Sequence, residues 1–176
     1  HHTSVEAIVA CDSSEQSLAN LPGFEARLRA RFPNITPLQP SGHEDVIPMA
    51  HVLEVAALDL QAQAGCPVTF SRTTATIETG IYQVVVEYSE EAVGRRALEL
   101  AQQLCGAALA GTPFDLQAAL AELRDLDEDV RLGPSTGSIV DAAIARNIPF
   151  RRLTEGSLVM FGWGSRQRRI QAAEID

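Results

Sequence analysis

The alternation of apolar and polar positions along the chain predicts short strands separated by helices. An apolar run at 5–10 predicts a strand, and the run at 68–88, rich in Val, Ile, Thr and aromatic residues, predicts two strands joined by a turn at Thr79–Gly80. Helical periodicity predicts helices at 21–32, 47–64, 89–111, 115–126 and 136–146. A short strand at 149–153 and a hairpin at 157–174 are predicted to follow them. Over the first 130 residues the order is β–α–α–β–β–α–α. This order is typical of an α+β fold with helices packed on a small, mostly antiparallel sheet.

Capping residues define the ends of the longer helices. Ser89, followed by two glutamates, is predicted to cap the helix at 89–111, and Asp115 is predicted to cap the next one. Gly65 and Gly111 are predicted to end the helices that precede them.

Charge divides the chain unevenly and indicates a boundary. Residues 1–141 contain 20 acidic residues and 8 arginines, whereas residues 142–176 contain 3 acidic residues and 6 arginines. The change of composition near Gly133 predicts two domains, at 3–132 and 133–176. A net charge of −9 argues against nucleic-acid and membrane-surface binding. With no signal peptide, membrane span or C-x-x-C pair, we expect a cytoplasmic protein.

The helix at 47–64 carries the most distinctive chemistry. It is apolar on nearly all sides, so we expect it to be buried, Leu53, Leu58 and Leu60 included. Its "HVLEV" contains His51 and Glu54 on one face, as in an H-x-x-E-H zinc motif, but Val55 replaces the second histidine. Valine cannot bind a metal, so we expect no bound metal, with His51 as the one candidate ligand. His51 and Glu54 are then vestigial catalytic candidates, and as buried polar groups they must be hydrogen-bonded.

A second cluster, Glu87, Glu90 and Glu91, lies where the predicted sheet passes into the helix at 89–111. These acids suit the N-terminal end of a helix, and they also suit an acidic surface that receives cationic groups. Both interpretations stay open on the residues alone.

Several segments resemble the cyanophycin synthetase family in the order expected of its N-terminal region. They are "LPGFEARLRARFP", "HVLEVAALDLQAQAG", "GIYQVVVEYSEEAVGRRALELAQQL", "DVRLGPSTGSIVDAAIARNIPFRRL" and "SLVMFGWGSRQRRIQAA". The resemblance covers most of the chain from Leu21 onward, and the last two segments are the most specific. It implies a ligase that joins aspartate and arginine with ATP, in which the segment at 133–176 leads into an ATP-grasp domain.

The resemblance also implies a role for the N-terminal domain. That domain holds the Asp–Arg polymer, and in some members a metal site on the helix that here contains "HVLEV" cleaves polymer into primers. Because Val55 departs from that pattern, we expect a noncatalytic polymer-binding or scaffold domain, with Glu87, Glu90 and Glu91 as polymer-binding candidates. The expected partners are Asp–Arg polymer or a similar cationic peptide, the rest of the ligase chain and further copies in a homo-oligomer.

Cofactors are expected elsewhere in such a ligase. All 14 basic residues of the chain are arginines, and the nucleotide-binding lysines and magnesium carboxylates of the family would lie beyond Asp176. We therefore expect no cofactor here, ATP and magnesium in the full-length ligase, and no ligation by this chain alone. Two alternatives remain: a metal-dependent hydrolase of Asp–Arg polymer with a degenerate site, and a stand-alone interaction module.

Overall fold

Helices and strands follow one another in the order that the sequence predicts. The computed structural model describes residues 3–40, 46–130, 134–153, 158–162, 164 and 167–171. It confirms the α+β class, with small antiparallel sheets packed against helices. The chain divides into two units, His1–Asp127 and Glu128–Asp176. The predicted boundary residue, Gly133, lies outside the described residues.

The first unit contains a three-stranded sheet and four helices. Its strands are β1 (Ser4–Ala10), β2 (Ser71–Ala75) and β3 (Ile81–Glu87), and its helices are α1 (Phe24–Arg31), α2 (Met49–Ala64), α3 (Glu91–Ala110) and α4 (Leu116–Val130), the last of which continues past the division between the units. A short 3-10 helix at Leu18–Asn20, which the sequence does not predict, precedes α1.

The sheet has the order β1-β3-β2 and is antiparallel throughout. Val84 and Val86 of the central strand are completely buried, and α2 packs against this strand. In the observed register Ser71 is opposite Val86 and Thr73 is opposite Val84. Because directly opposed residues share a face, Ser71 and Thr73 lie on the face that α2 covers.

Two sequence predictions about helices need correction. Leu60 is fully buried as predicted, but Leu53 and Leu58 are partly exposed; Leu53 borders an open groove instead of the core. The helix α3 is capped by Glu90, not by Ser89, and Glu90 has the extended backbone of an N-cap without a side-chain capping bond. Asp115 does cap α4 as predicted, since its Oδ1 accepts a hydrogen bond from Ala118 N at 3.0 Å.

The second unit has its own small core. It consists of α5 (Pro134–Ala145) and the antiparallel strands β4 (Phe150–Arg152), β5 (Val159–Phe161) and β6 (Arg168–Ile170), in the order β4-β5-β6. Val140 and Ala143 of α5 cluster with Val159 and Phe161 of β5, and Ile170 packs on the cluster. In the described part of the chain, none of the helices combines the length and apolarity needed to cross a bilayer.

Candidate functional site

His51 and Glu54, the polar pair that the sequence singles out on α2, face strand β2. The helix begins after Pro48, whose backbone is extended, and ends at Gly65, which adopts the left-handed conformation that favours glycine. His51 and Glu54 lie in its first turns, three positions apart, so their side chains meet on one face. That face is directed toward Ser71 and Thr73.

Glu54 forms the centre of this site. Its side chain is almost completely buried, and its carboxylate accepts hydrogen bonds from Ser71 Oγ at 2.6 Å, from Thr73 Oγ1 at 2.5 Å and from His51 Nδ1 at 3.0 Å. An ionised carboxylate is only an acceptor, so the proton of this His51 contact resides on Nδ1. The predicted hydrogen bonding of the buried pair is therefore present, and it joins α2 to β2.

Two opposing effects act on the ionisation of Glu54. Burial by itself raises the pKa of a carboxyl group, because the charged form loses its water. The hydrogen bonds from His51, Ser71 and Thr73, together with the charge of His51, outweigh that effect and hold the pKa of Glu54 below its ordinary value. The carboxylate is thus a weak base that already accepts three hydrogen bonds.

These residues do not fit a protein-held zinc ion. Val55, which occupies the position of the second histidine, is a buried apolar side chain. Among the residues that the structure describes, no group of three or more His, Cys, Asp or Glu side chains is arranged to hold a metal. A hydrolytic zinc site needs about three protein ligands and a carboxylate that is available to a bound water, and here Glu54 binds two hydroxyl groups and an imidazole instead.

A cavity of about 460 Å³ opens beside the pair and is lined by His51, Glu54 and the whole of β2. The residues that line it include three with hydroxyl groups, Ser71, Thr73 and Thr74, together with Arg72. Ser71 and Thr73 were missed in the sequence, although the alternation of "SRTTA" would have placed them on one face of a strand. What the sequence lacked was the register that sets this face against α2.

Glu87, the first of the predicted polymer-binding acids, is engaged within the sheet region. Its Oε2 accepts hydrogen bonds from the backbone N–H groups of Thr69 at 2.7 Å and Phe70 at 2.8 Å. Its backbone carbonyl accepts a hydrogen bond from Nε2 of the buried Gln61 at 2.9 Å. Glu87 therefore holds the segment that leads into β2 against the end of β3.

Glu90 and Glu91 lie at the start of α3. Glu90 is the N-cap residue, and Glu91 forms an exposed ion pair with Arg95 one turn later, with a shortest N–O distance of 2.7 Å. Exposed pairs of this kind contribute only about 0.3–0.5 kcal/mol, so this contact adds little to the stability of α3. The three acids thus lie along the connection from β3 to α3. Glu87 accepts backbone hydrogen bonds, Glu90 is the N-cap residue and Glu91 forms an exposed ion pair.

Comparison with known families matches the first unit. A family model described as the cyanophycin synthase-like N-terminal domain matches residues 7–110, which is more than half of the chain. The chain belongs to this family. The match includes α2 with His51 and Glu54, strand β2, and the connection that carries Glu87, Glu90 and Glu91.

Curated cyanophycin synthetases are similar to most of this chain. The cyanophycin synthetase of Geminocystis herdmanii is 42% identical over 127 residues, which are 70% of this chain and 14% of that protein. That of Crocosphaera subtropica is 44% identical over 127 residues, 70% of this chain and 15% of that protein. That of a Nostoc species is 40% identical over 131 residues, 73% of this chain and 14% of that protein. The chain spans only about a seventh of the length of these relatives.

Proposed function

We propose that this chain is the noncatalytic, polymer-binding N-terminal domain of a cyanophycin-synthetase-like ligase that joins aspartate and arginine using ATP. Membership of the family supports the ligase, and the geometry around Glu54 supports the absence of catalysis in this domain. The observation that carries the second point is that the Glu54 carboxylate is occupied by Ser71, Thr73 and His51, with Val55 beside it. A carboxylate bound in this way serves as a structural link.

The remaining parts of the proposal concern the whole ligase. ATP and magnesium are used in a domain outside this chain, which contains no lysine for a nucleotide phosphate. The residues from 133 onward lead into that ATP-grasp domain. The ligase acts in the cytoplasm as a homo-oligomer, and the first unit holds the growing Asp–Arg polymer close to it.

Charge supports the polymer as ligand. Residues 1–141 contain 20 acidic residues against 8 arginines, and the polymer presents guanidinium groups that carboxylates bind through charge-assisted hydrogen bonds. We assign Glu87, Glu90 and Glu91 as the receiving acids. Single exposed contacts contribute about 0–1 kcal/mol, so measurable affinity requires several contacts along one polymer chain.

Titration calorimetry with soluble Asp–Arg peptides tests this assignment. Binding is expected to weaken steeply as salt rises, and to weaken further when Glu87, Glu90 and Glu91 are all replaced by glutamine. A variant with Asp125→Asn, Glu128→Gln and Asp129→Asn changes the net charge equally at three exposed residues of α4 and is expected to bind as the parent does. If the two triple variants bind the peptides equally well, Glu87, Glu90 and Glu91 are not the receiving acids.

A metal-dependent hydrolase is the second candidate, favoured by the retained contact of His51 with Glu54 at the edge of an open cavity. Metal analysis of the purified chain separates the two candidates, and we expect no stoichiometric zinc. One tightly bound zinc per chain, together with release of dipeptides from the polymer, would establish the hydrolase.

A stand-alone interaction module is the third possibility, and the reading frame after Asp176 decides it, since we expect an ATP-grasp sequence there.

A further inference from the structure

The free edge of strand β1 borders a groove whose lining includes neither His51 and Glu54 nor the acidic cluster. The groove, here called the β1 groove, has a volume of about 520 Å³ and runs between residues 7–11 and one face of α3. Its apolar surface is formed mainly by Met49, Leu53, Leu98 and Leu109, with Gly106 in the helix wall. Ile8, on the rim, has 69% of its surface exposed.

The backbone along this edge is available for pairing. β1 is an outer strand of the sheet, and its ends are fixed by the bonds Tyr88 N to Thr3 O at 2.9 Å and Cys11 N to Gly80 O at 2.8 Å. In an antiparallel pair alternate residues bond to the partner strand, so the odd-numbered residues of β1 bond to β3. The N–H and C=O groups of Glu6, Ile8 and Ala10 therefore point outward, and none of these three N–H groups donates to another backbone group in the described part of the chain.

Few of the devices that prevent pairing at an edge strand occur in β1, and Glu6 is its one charged residue. Its register with β3 is unbroken over seven residues, and it contains no proline or bulge. Exposed edges of this kind accept an added strand, which gains backbone hydrogen bonds while its alternate side chains enter the adjacent groove. The β1 groove provides that second feature.

The charge of the groove selects the side chains that it can accept. Its two charged lining residues are Glu15 and Glu99, and no arginine lines it among the described residues. One carboxylate oxygen of each is engaged, by Asp12 N and by Arg96 Nη1 respectively, while the other oxygen accepts no hydrogen bond within the described residues. An arginine side chain matches this arrangement, because its methylene groups can cover Leu98 or Leu109 while its guanidinium group reaches a carboxylate.

We propose that the β1 groove binds an extended, arginine-bearing peptide as an added strand along the edge of β1. A second copy of this chain fits less well, because it would bring its own Glu6, Glu15 and Glu99 against the same acids. The proposal is separate from the acidic connection of Glu87, Glu90 and Glu91. Those three residues do not line the β1 groove, so the two surfaces have separate tests.

Gly106 provides a variant that fills the groove without disturbing the fold. A Cβ atom built at Gly106 meets nothing within 4 Å, so Gly106→Leu places a side chain in the open groove. Gln103→Leu is the matched control, because it adds the same side chain to another exposed position of α3 that does not line the groove. Melting temperatures of both variants verify that they fold.

The probe is a capped heptapeptide of alternating threonine and arginine, titrated into the full chain and followed by amide NMR shifts and calorimetry. We expect Gly106→Leu to weaken binding about tenfold or more, a change of about 1.4 kcal/mol, and Gln103→Leu to leave it unchanged. Replacing the arginines by glutamates should abolish binding. Methylating the backbone nitrogens of one alternate set of residues should block binding, and methylating the other set should not, because only one set faces β1.

Several results would overturn the proposal. They are absence of binding to the parent chain, equal binding by Gly106→Leu and Gln103→Leu, and equal effects of the two methylation patterns. Sedimentation could also reveal a dimer of the parent that Gly106→Leu abolishes. That result would assign the β1 groove to a second copy of the chain and refute the proposal that it binds a peptide.

Discussion

At the scale of single residues, the ionisation of the buried Glu54 side chain depends on which of two effects is larger. Desolvation of a carboxylate costs several kcal/mol when it is unpaired, and three donors at 2.5–3.0 Å offset that cost here. The side chain thus stays ionised inside the protein and connects α2 to β2. Glu54 thereby forms part of the packing between a helix and a sheet.

Glu54→Gln is expected to destabilise the fold by about 1–3 kcal/mol at neutral pH, the cost of leaving a buried donor without its acceptor. The depressed pKa of Glu54 stabilises the parent at pH values above the ordinary pKa of glutamate, and this contribution disappears as the pH falls through the lower, folded pKa. The difference in unfolding free energy between parent and variant should therefore narrow as the pH falls below the ordinary glutamate pKa of about 4.3, as measured by denaturant unfolding.

Glu25→Gln serves as the control for that experiment, because the exposed Glu25 pairs with Arg29 alone among the residues that the structure describes. Its small effect should come from an exposed ion pair and stay below about 1 kcal/mol. A gap between parent and Glu54→Gln that stays constant down to acid pH would mean that the carboxylate is not held ionised by its partners.

At the scale of helices and strands, residues that are close together in the sequence were sufficient to predict much of the secondary structure. Gly65 ends α2 and Asp115 caps α4 as predicted, because a helix end depends on residues within one turn of it. The cap at Ser89 was wrong, since Glu90 takes that position. The partners of Glu54 could not be predicted, because Ser71 and Thr73 reach it only through the register of β2 on β3.

The helix α3 offers a paired prediction at this scale. Glycine within a helix costs about 0.5–1 kcal/mol relative to alanine, so Gly106→Ala, with open space around the new Cβ, should raise the melting temperature. At Gly94 the same Cβ would lie 2.6 Å from Tyr88 Cβ, so Gly94→Ala should lower it. Thermal unfolding of the two variants measures both effects, and stabilisation by Gly94→Ala would show that α3 does not approach Tyr88 this closely.

At the scale of the whole molecule, the first unit contains a core of its own. Its largest fully buried side chains come from α1, α2, α3, α4 and β3 and from Phe32, which follows α1, and they include Phe24, Leu60, Leu104 and Leu123. Helix α4 contributes Leu120 and Leu123 to that core, and Glu122 on the same helix pairs with Arg96 of α3. The family match at residues 7–110 lies entirely within this unit.

A chain that ends at Val130 is therefore expected to fold cooperatively, with a melting temperature within about 5 °C of the parent, a shift that corresponds to about 1 kcal/mol. It keeps every core residue of the first unit and loses the hydrogen bond from Arg152 to the carbonyl of Val130. A chain that ends at Asp115 lacks α4 and uncovers the surface that Leu120 and Leu123 bury. Because each buried leucine contributes about 2–5 kcal/mol, the second chain should unfold at a much lower temperature or fail to fold. If the chain ending at Val130 lost its cooperative transition as well, the first unit would depend on the residues that follow it, and it would not be an independent domain.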